Sequence, residues 1–169
     1  MTADFLPAFE QMISNEGGYK LHQVAGDRGG MTYAGIARNR WPSWSGWRLI
    51  DAGQVPPVDL VQGFYQGNFW RPLRLDSVTD QAVARSLFDF AVNAGVGTAT
   101  RLAQVAAGTT PDGTIGAKTL DALNAANPEL FLARFALAKL ARYEQIVSRD
   151  RSQERFLLGW VRRTLKEAA

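Results

Sequence analysis

Apolar residues recur at helical spacing through most of the chain. A first helix is predicted over 4–16, because its apolar residues repeat every three to four positions and share one face: Phe5, Leu6, Phe9, Met12 and Ile13. Gly17 and Gly18 end this helix, since glycine readily adopts the left-handed conformation found at helix C-termini. Glu16 is therefore expected in or beside the last helical turn.

The segment after this helix has a different pattern. Residues 20–32 are rich in glycine and predict a loop or short β-hairpin that folds back over the helix end. A short second helix is predicted over 35–40, before Pro42. Three tryptophans follow, and packing onto the core is favoured over a sugar-stacking platform for them: Trp41, Trp44 and Trp47.

The rest of the chain predicts further helices and no strands, so the fold class is mainly α with a small loop or β-hairpin. The predicted starts and caps are Pro57, for a helix ending near Trp70, then Thr79, Thr98, Ala117 and Asn127-Pro128. The helix after Thr79 combines large and small apolar residues and is expected at the centre of the core. A last helix carries Phe156, Leu157, Trp160, Val161 and Leu165.

Composition narrows the function classes. The 169 residues suit a single compact domain, and there is no cysteine and one histidine, His22, so neither a metal nor another cofactor is expected. No secretory signal or membrane-spanning run is recognisable, which predicts a protein made in soluble form. The net charge of +3 favours anionic surroundings, and residues 149–169 carry six basic and three acidic side chains.

The chemistry expected of the first helix end is that of a general acid. Helix carbonyls disfavour an ionised carboxylate, so the pKa of Glu16 is expected to rise if the group is also partly buried. Glycoside hydrolysis uses such an acid with a second carboxylate, which Asp27 would supply, and the Thr32 hydroxyl would orient water. A turn in which the Asp27 carboxylate accepts backbone N–H bonds is the alternative.

Several side chains are candidates for substrate contact. The aromatic candidates for stacking on sugar faces are Tyr19, Tyr33, Tyr65 and Trp70, although the last two also have the spacing of core residues. Asn93 would hydrogen-bond an acetamido group or cap a helix C-terminus. Asp89 lies between two phenylalanines, so its carboxylate needs a partner or a function. His22 is assigned no role.

Two motifs resemble a known family. Glu-Gly-Gly-Tyr at 16–19, followed by Asp-x-Gly-Gly-x-Thr-x-x-Gly-Ile at 27–36, resembles the signature of glycoside hydrolase family 108 muramidases. Residues 88–120 are similar to the peptidoglycan-binding region that accompanies it. The resemblance implies a lysozyme-like helical fold with a catalytic region at 1–75 and a helical peptidoglycan-binding region at 76–169. It also implies hydrolysis of the β-1,4 bond between N-acetylmuramic acid and N-acetylglucosamine, with Glu16 as acid.

The resemblance also implies partners and a place of action. Peptidoglycan glycan strands are the expected partner of a monomer that binds no nucleic acid. A bacteriolytic phage endolysin or secretion-associated enzyme would be made in the host cytoplasm and act in the periplasm. Two alternatives stay open: a lytic transglycosylase that uses Glu16 alone, and a non-catalytic peptidoglycan-binding or secretion-associated protein. The last helix is read as a core helix with a solvated basic face, in preference to a weak contact with the anionic envelope.

Overall fold

The computed structural model describes residues 2–23 and 30–168. These residues form eight α-helices and one three-stranded antiparallel sheet, which confirms the mainly α, lysozyme-like class. The helices are α1 (Phe5–Asn15), α2 (Gly46–Asp51), α3 (Val58–Tyr65), α4 (Gln81–Ala94), α5 (Val96–Ala107), α6 (Ala117–Ala125), α7 (Pro128–Arg149) and α8 (Glu154–Ala168). The strands are β1 (Leu21–Gln23), β2 (Met31–Tyr33) and β3 (Ile36–Ala37). A π-helical segment, Gln66–Trp70, extends α3.

The end of α1 has the predicted form. Glu16 is the C-cap residue, and Gly17 and Gly18 follow with φ of +89° and +79°. The Gly18 N–H donates to the Ile13 carbonyl at 2.9 Å, which closes the last turn. The chain therefore leaves the helix sharply, with the Glu16 side chain at the point where it turns.

The small sheet follows directly. β1 and β2 pair antiparallel, with Leu21 opposite Tyr33, so the predicted hairpin is confirmed. The helix predicted over 35–40 is wrong. Ala34 and Gly35 have φ of +49° and +79°, the geometry of a tight two-residue hairpin turn. This turn places Ile36, in β3, opposite Tyr33, in β2.

α4 lies at the centre of the core, as predicted for the helix after Thr79. Eight residues of this helix are buried, among them Leu87, Phe88 and Ala91. The predicted caps are wrong at two helices. Asp80 caps α4 by accepting from the Val83 N–H at 2.9 Å, and α5 already begins after Gly95, so Thr98 lies inside it.

The last helix packs on α7, as the core-helix interpretation expects, and a weak contact of its exposed face with the anionic envelope stays a prediction. Trp160 stacks on Tyr143 of α7 with ring centroids 5.1 Å apart, and Thr164 is buried. Leu158 and Leu165 stay exposed on the other side. None of the described helices is long and apolar enough to cross a membrane.

Candidate active site

Glu16 lies over the turn between β2 and β3. A Cβ atom added to Gly35 would lie 3.4 Å from Cβ and Cγ of Glu16 and 2.6 Å from the Tyr65 hydroxyl oxygen. The glycine thus allows a close approach that no other residue permits at this position. The Glu16 side chain is 25% exposed, so solvent or a substrate can reach it.

Tyr65 supports this turn from below. Its hydroxyl donates to the Ala34 carbonyl at 2.8 Å, and the residue is 1% exposed. Burial, and secondly the nearby charge of Glu16, raise the pKa of Tyr65. The phenol therefore keeps its proton and remains a hydrogen-bond donor to the turn.

The guanidinium of Arg163, in α8, forms hydrogen bonds with the carboxylates of Glu16, at the end of α1, and Asp89, in α4. Arg163 of α8 binds the Asp89 carboxylate of α4, with Nη2 2.9 Å from Oδ2 and Nε 3.1 Å from the same oxygen. Its Nη1 donates to Asn93 Oδ1 at 3.0 Å, and both terminal nitrogens lie 3.4 Å from Glu16 Oε1. Arg163 therefore connects Glu16 to the central helix of the core.

Asp89 has the partner that was expected for a carboxylate between two phenylalanines, and this partner is Arg163. Its side chain is 6% exposed, and a buried carboxylate is costly unless it is paired and hydrogen-bonded. Arg163 supplies the opposite charge, and Asn15 Nδ2 adds a longer contact at 3.4 Å. The amide of Asn93 is also engaged, because Nδ2 donates to the Asp89 carbonyl at 2.9 Å. Its contact with an acetamido group stays a prediction.

Three aromatic candidates are corrected by the structure, two of them in the core beside α4. Tyr65 and Trp70 are 1% and 0% exposed, so neither has a ring face available for a sugar, and the packing alternative is the right one for both. The Trp70 indole N–H donates to Asp76 at 2.7 Å, and its ring packs against Phe5 and Phe88. The spacing of aromatic residues along the chain does not distinguish packing in the core from stacking on a sugar, because both use the apolar face of the ring.

The other candidates lie in the sheet or next to it. Tyr19 is 40% exposed and Thr32 is half-buried in β2, opposite His22 and Ala37. Tyr33 is buried and stacks on Trp44, with ring centroids 6.1 Å apart, so its predicted stacking on a sugar is corrected as well. Trp44 and Trp47 are buried as well, which agrees with the packing interpretation of the tryptophans. Asp27 lies outside the described residues, so its pairing with Glu16 stays a prediction.

Gly35→Ala is expected to destabilise the protein by about 2–3 kcal/mol. A β-carbon in the left-handed region costs about 1–2 kcal/mol, and displacing Tyr65 from the Ala34 carbonyl costs about 1 kcal/mol more. Gly53→Ala is the matched control, because Gly53 also has positive φ, +73°, but has no atom within 4 Å of an added Cβ. Urea unfolding measures both. Equal decreases in the free energy of unfolding of the two variants would contradict the close approach of Tyr65 and Glu16 to Gly35.

Two family models match this chain, one after the other along the sequence. The family model described as Glycosyl hydrolase 108 matches residues 9–95, and the one described as Predicted Peptidoglycan domain matches residues 96–165. The first match includes α4, whereas the sequence prediction placed the regional boundary before it, between residues 75 and 76. The comparison with curated proteins found no match.

A solved structure also resembles this fold. SagA from Brucella abortus superposes with a TM-score of 0.78 at 26% sequence identity, and the match covers 97% of this chain and 91% of that one. The likeness therefore extends over nearly the whole fold.

Proposed function

Because this chain belongs to the glycosyl hydrolase 108 family and carries a peptidoglycan domain, it is a glycoside hydrolase acting on peptidoglycan, and we propose that it is an N-acetylmuramidase. In this proposal it hydrolyses the β-1,4 bond between N-acetylmuramic acid and N-acetylglucosamine. The observation that carries the proposal is the position of Glu16, a partly exposed carboxyl group at a helix end, held between a tight turn and Arg163.

Glu16 acts as the general acid. It transfers its proton to the glycosidic oxygen while the bond from that oxygen to the anomeric carbon breaks. Water then adds to the anomeric carbon and gives up a proton. We assign that proton to Asp27, with Thr32 orienting the water, on the strength of the family motif.

Arg163 assists the same step. The Glu16 carboxyl group gains negative charge as its proton leaves, and a fixed guanidinium stabilises charge that develops in the transition state. Its 3.4 Å contacts with Glu16 are longer than its 2.9 Å contact with Asp89, so the guanidinium is anchored on Asp89 and directed at Glu16. Arg163 is therefore prepositioned before the substrate arrives.

Two alternative functions make different products. A lytic transglycosylase would also use Glu16 as acid, but the C6 hydroxyl of the muramic acid residue, in place of water, would attack the anomeric carbon and leave a 1,6-anhydro end. A non-catalytic peptidoglycan-binding protein would leave the glycan strands intact. The partly exposed Glu16 and its fixed cation favour an enzyme over a binding protein.

Purified sacculi separate an enzyme from a binding protein. The wild-type chain is expected to lower the turbidity of the suspension and to release soluble fragments. Sedimentation with sacculi whose turbidity and soluble sugar stay constant would contradict the hydrolase. Chloroform-treated Gram-negative cells are expected to lyse, whereas untreated cells are expected to resist the protein added from outside, if the enzyme acts in the periplasm.

A further inference from the structure

A cavity of about 420 Å³ opens between α1, α4 and α8. Its volume lies in the range of small-ligand pockets, roughly 300–1,000 Å³. The charged side chains of its described lining are four cations and one carboxylate: Arg85, Arg162, Arg163, Lys166 and Asp89. The lining therefore has a clear excess of positive charge.

The cavity lies next to the proposed catalytic acid. Asn15 is part of the lining and directly precedes Glu16 in the chain. Arg163 is also part of it and reaches Glu16 with its terminal nitrogens. One side chain thus separates the cavity from the carboxyl group that would protonate the glycosidic oxygen.

Most of the positive charge in the cavity lining is not neutralised by ion pairs with described residues of the protein. Asp89 is already paired with Arg163, which leaves the cations of Arg85, Arg162 and Lys166. All three side chains are exposed, and within the described part of the chain none of them forms an ion pair. They are therefore free to bind an anion, and two guanidinium groups suit a carboxylate because each can form paired hydrogen bonds with it.

We infer that this cavity binds a carboxylate of the peptide stem that peptidoglycan carries on its muramic acid residues. The inference rests on the proposed function, which places an N-acetylmuramic acid unit beside Glu16. The N-acetylated sugar rings carry no charged group, so a cationic cavity contributes little to binding them. The peptide stem begins on the lactyl group of the same unit and ends in free carboxylates. The cavity thus makes the enzyme selective for peptide-bearing strands.

Two forms of one substrate test the inference. Glycan strands with their peptides are compared with the same strands after an amidase has removed the peptides and the lactyl carboxylate that this hydrolysis frees has been coupled to methylamine, so that the stripped strands carry no charge. The variant Arg85→Gln/Arg162→Gln is expected to raise KM on peptide-bearing strands about tenfold, which corresponds to about 1.4 kcal/mol. On stripped strands its KM and kcat are expected to match those of the wild type, and its Tm is expected to be unchanged.

The matched control removes the same charge elsewhere. Arg149→Gln/Arg151→Gln changes two exposed arginines outside the cavity, the last residue of α7 and a residue of the segment that joins α7 to α8. An equal rise of KM in both double variants would overturn the inference, because it would reflect net charge alone. A cavity variant that loses activity equally on both substrates would also overturn it. Absence of hydrolysis of either substrate by the wild type would instead refute the proposed function.

Inorganic phosphate distinguishes a peptide-stem site from a general anion site. Phosphate that competes with peptide-bearing strands only, and loses this effect in Arg85→Gln/Arg162→Gln, would support the assigned ligand. Phosphate that inhibits hydrolysis of stripped strands to the same degree would overturn it, since the cavity would then act on catalysis without a peptide.

Discussion

Glu16→Gln is expected to slow peptidoglycan hydrolysis by about 10²- to 10⁴-fold, the usual contribution of a general acid. Glutamine keeps the shape of the side chain and an oxygen that accepts from Arg163, but it has no acidic proton for the glycosidic oxygen. The contacts of Glu16 with the turn and with Arg163 are thus preserved. The change in free energy of unfolding is therefore expected to stay within about 0.5 kcal/mol.

Initial rates of fragment release from sacculi, together with urea unfolding, measure this prediction. Glu10→Gln is the matched control, because Glu10 is exposed on the same helix and lies six residues before Glu16. Full activity is expected of the control. A folded Glu16→Gln protein with wild-type rates would refute the assignment of the acid.

Arg163→Gln is expected to affect both stability and catalysis. The substitution leaves the Asp89 carboxylate buried without its guanidinium, and breaking a buried pair in this way costs about 3–5 kcal/mol. Because the Arg163 side chain is 31% exposed, solvent offsets part of this loss, and we expect about 2–4 kcal/mol. Hydrolysis is expected to fall as well, since Glu16 loses its fixed cation.

A second substitution separates the two effects of Arg163. Asp89→Asn combined with Arg163→Gln removes both charges, so much of the lost stability is expected to return, while hydrolysis stays slow. Arg162→Gln, at the exposed neighbouring position, is the control for stability and is expected to be neutral. Unchanged unfolding of Arg163→Gln would contradict the structural role of the pair. Recovery of full activity in the double variant would contradict the catalytic role.

The position of Glu16 was predictable because its causes are local. An apolar stripe defines α1, and two glycines end it within the same stretch of sequence. The helix start at Asn127-Pro128 was predictable for the same reason, since the Asn127 side chain accepts from the Leu130 N–H at 2.9 Å. In both places the decisive interaction joins residues that are five or fewer positions apart.

The features that sequence reasoning missed depend on distant residues. Arg163 contacts Glu16 across 147 positions, and only the unexplained carboxylate of Asp89 indicated that a cation was needed. The turn at Ala34 and Gly35 displaced the predicted short helix because the paired strand β2 supplies hydrogen bonds that local propensity does not include. Tyr65 and Trp70 were ambiguous until the core around them was known.

The chemistry of the new chain ends distinguishes a muramidase from the other enzymes that cut peptidoglycan strands. Sacculi are digested with the wild-type chain, and the soluble fragments are analysed by mass spectrometry before and after borohydride reduction. We expect hydrated N-acetylmuramic acid at the reducing ends, which borohydride converts to the alcohol. Ends with 1,6-anhydro-N-acetylmuramic acid, which resist reduction, or N-acetylglucosamine at the reducing ends would contradict the muramidase.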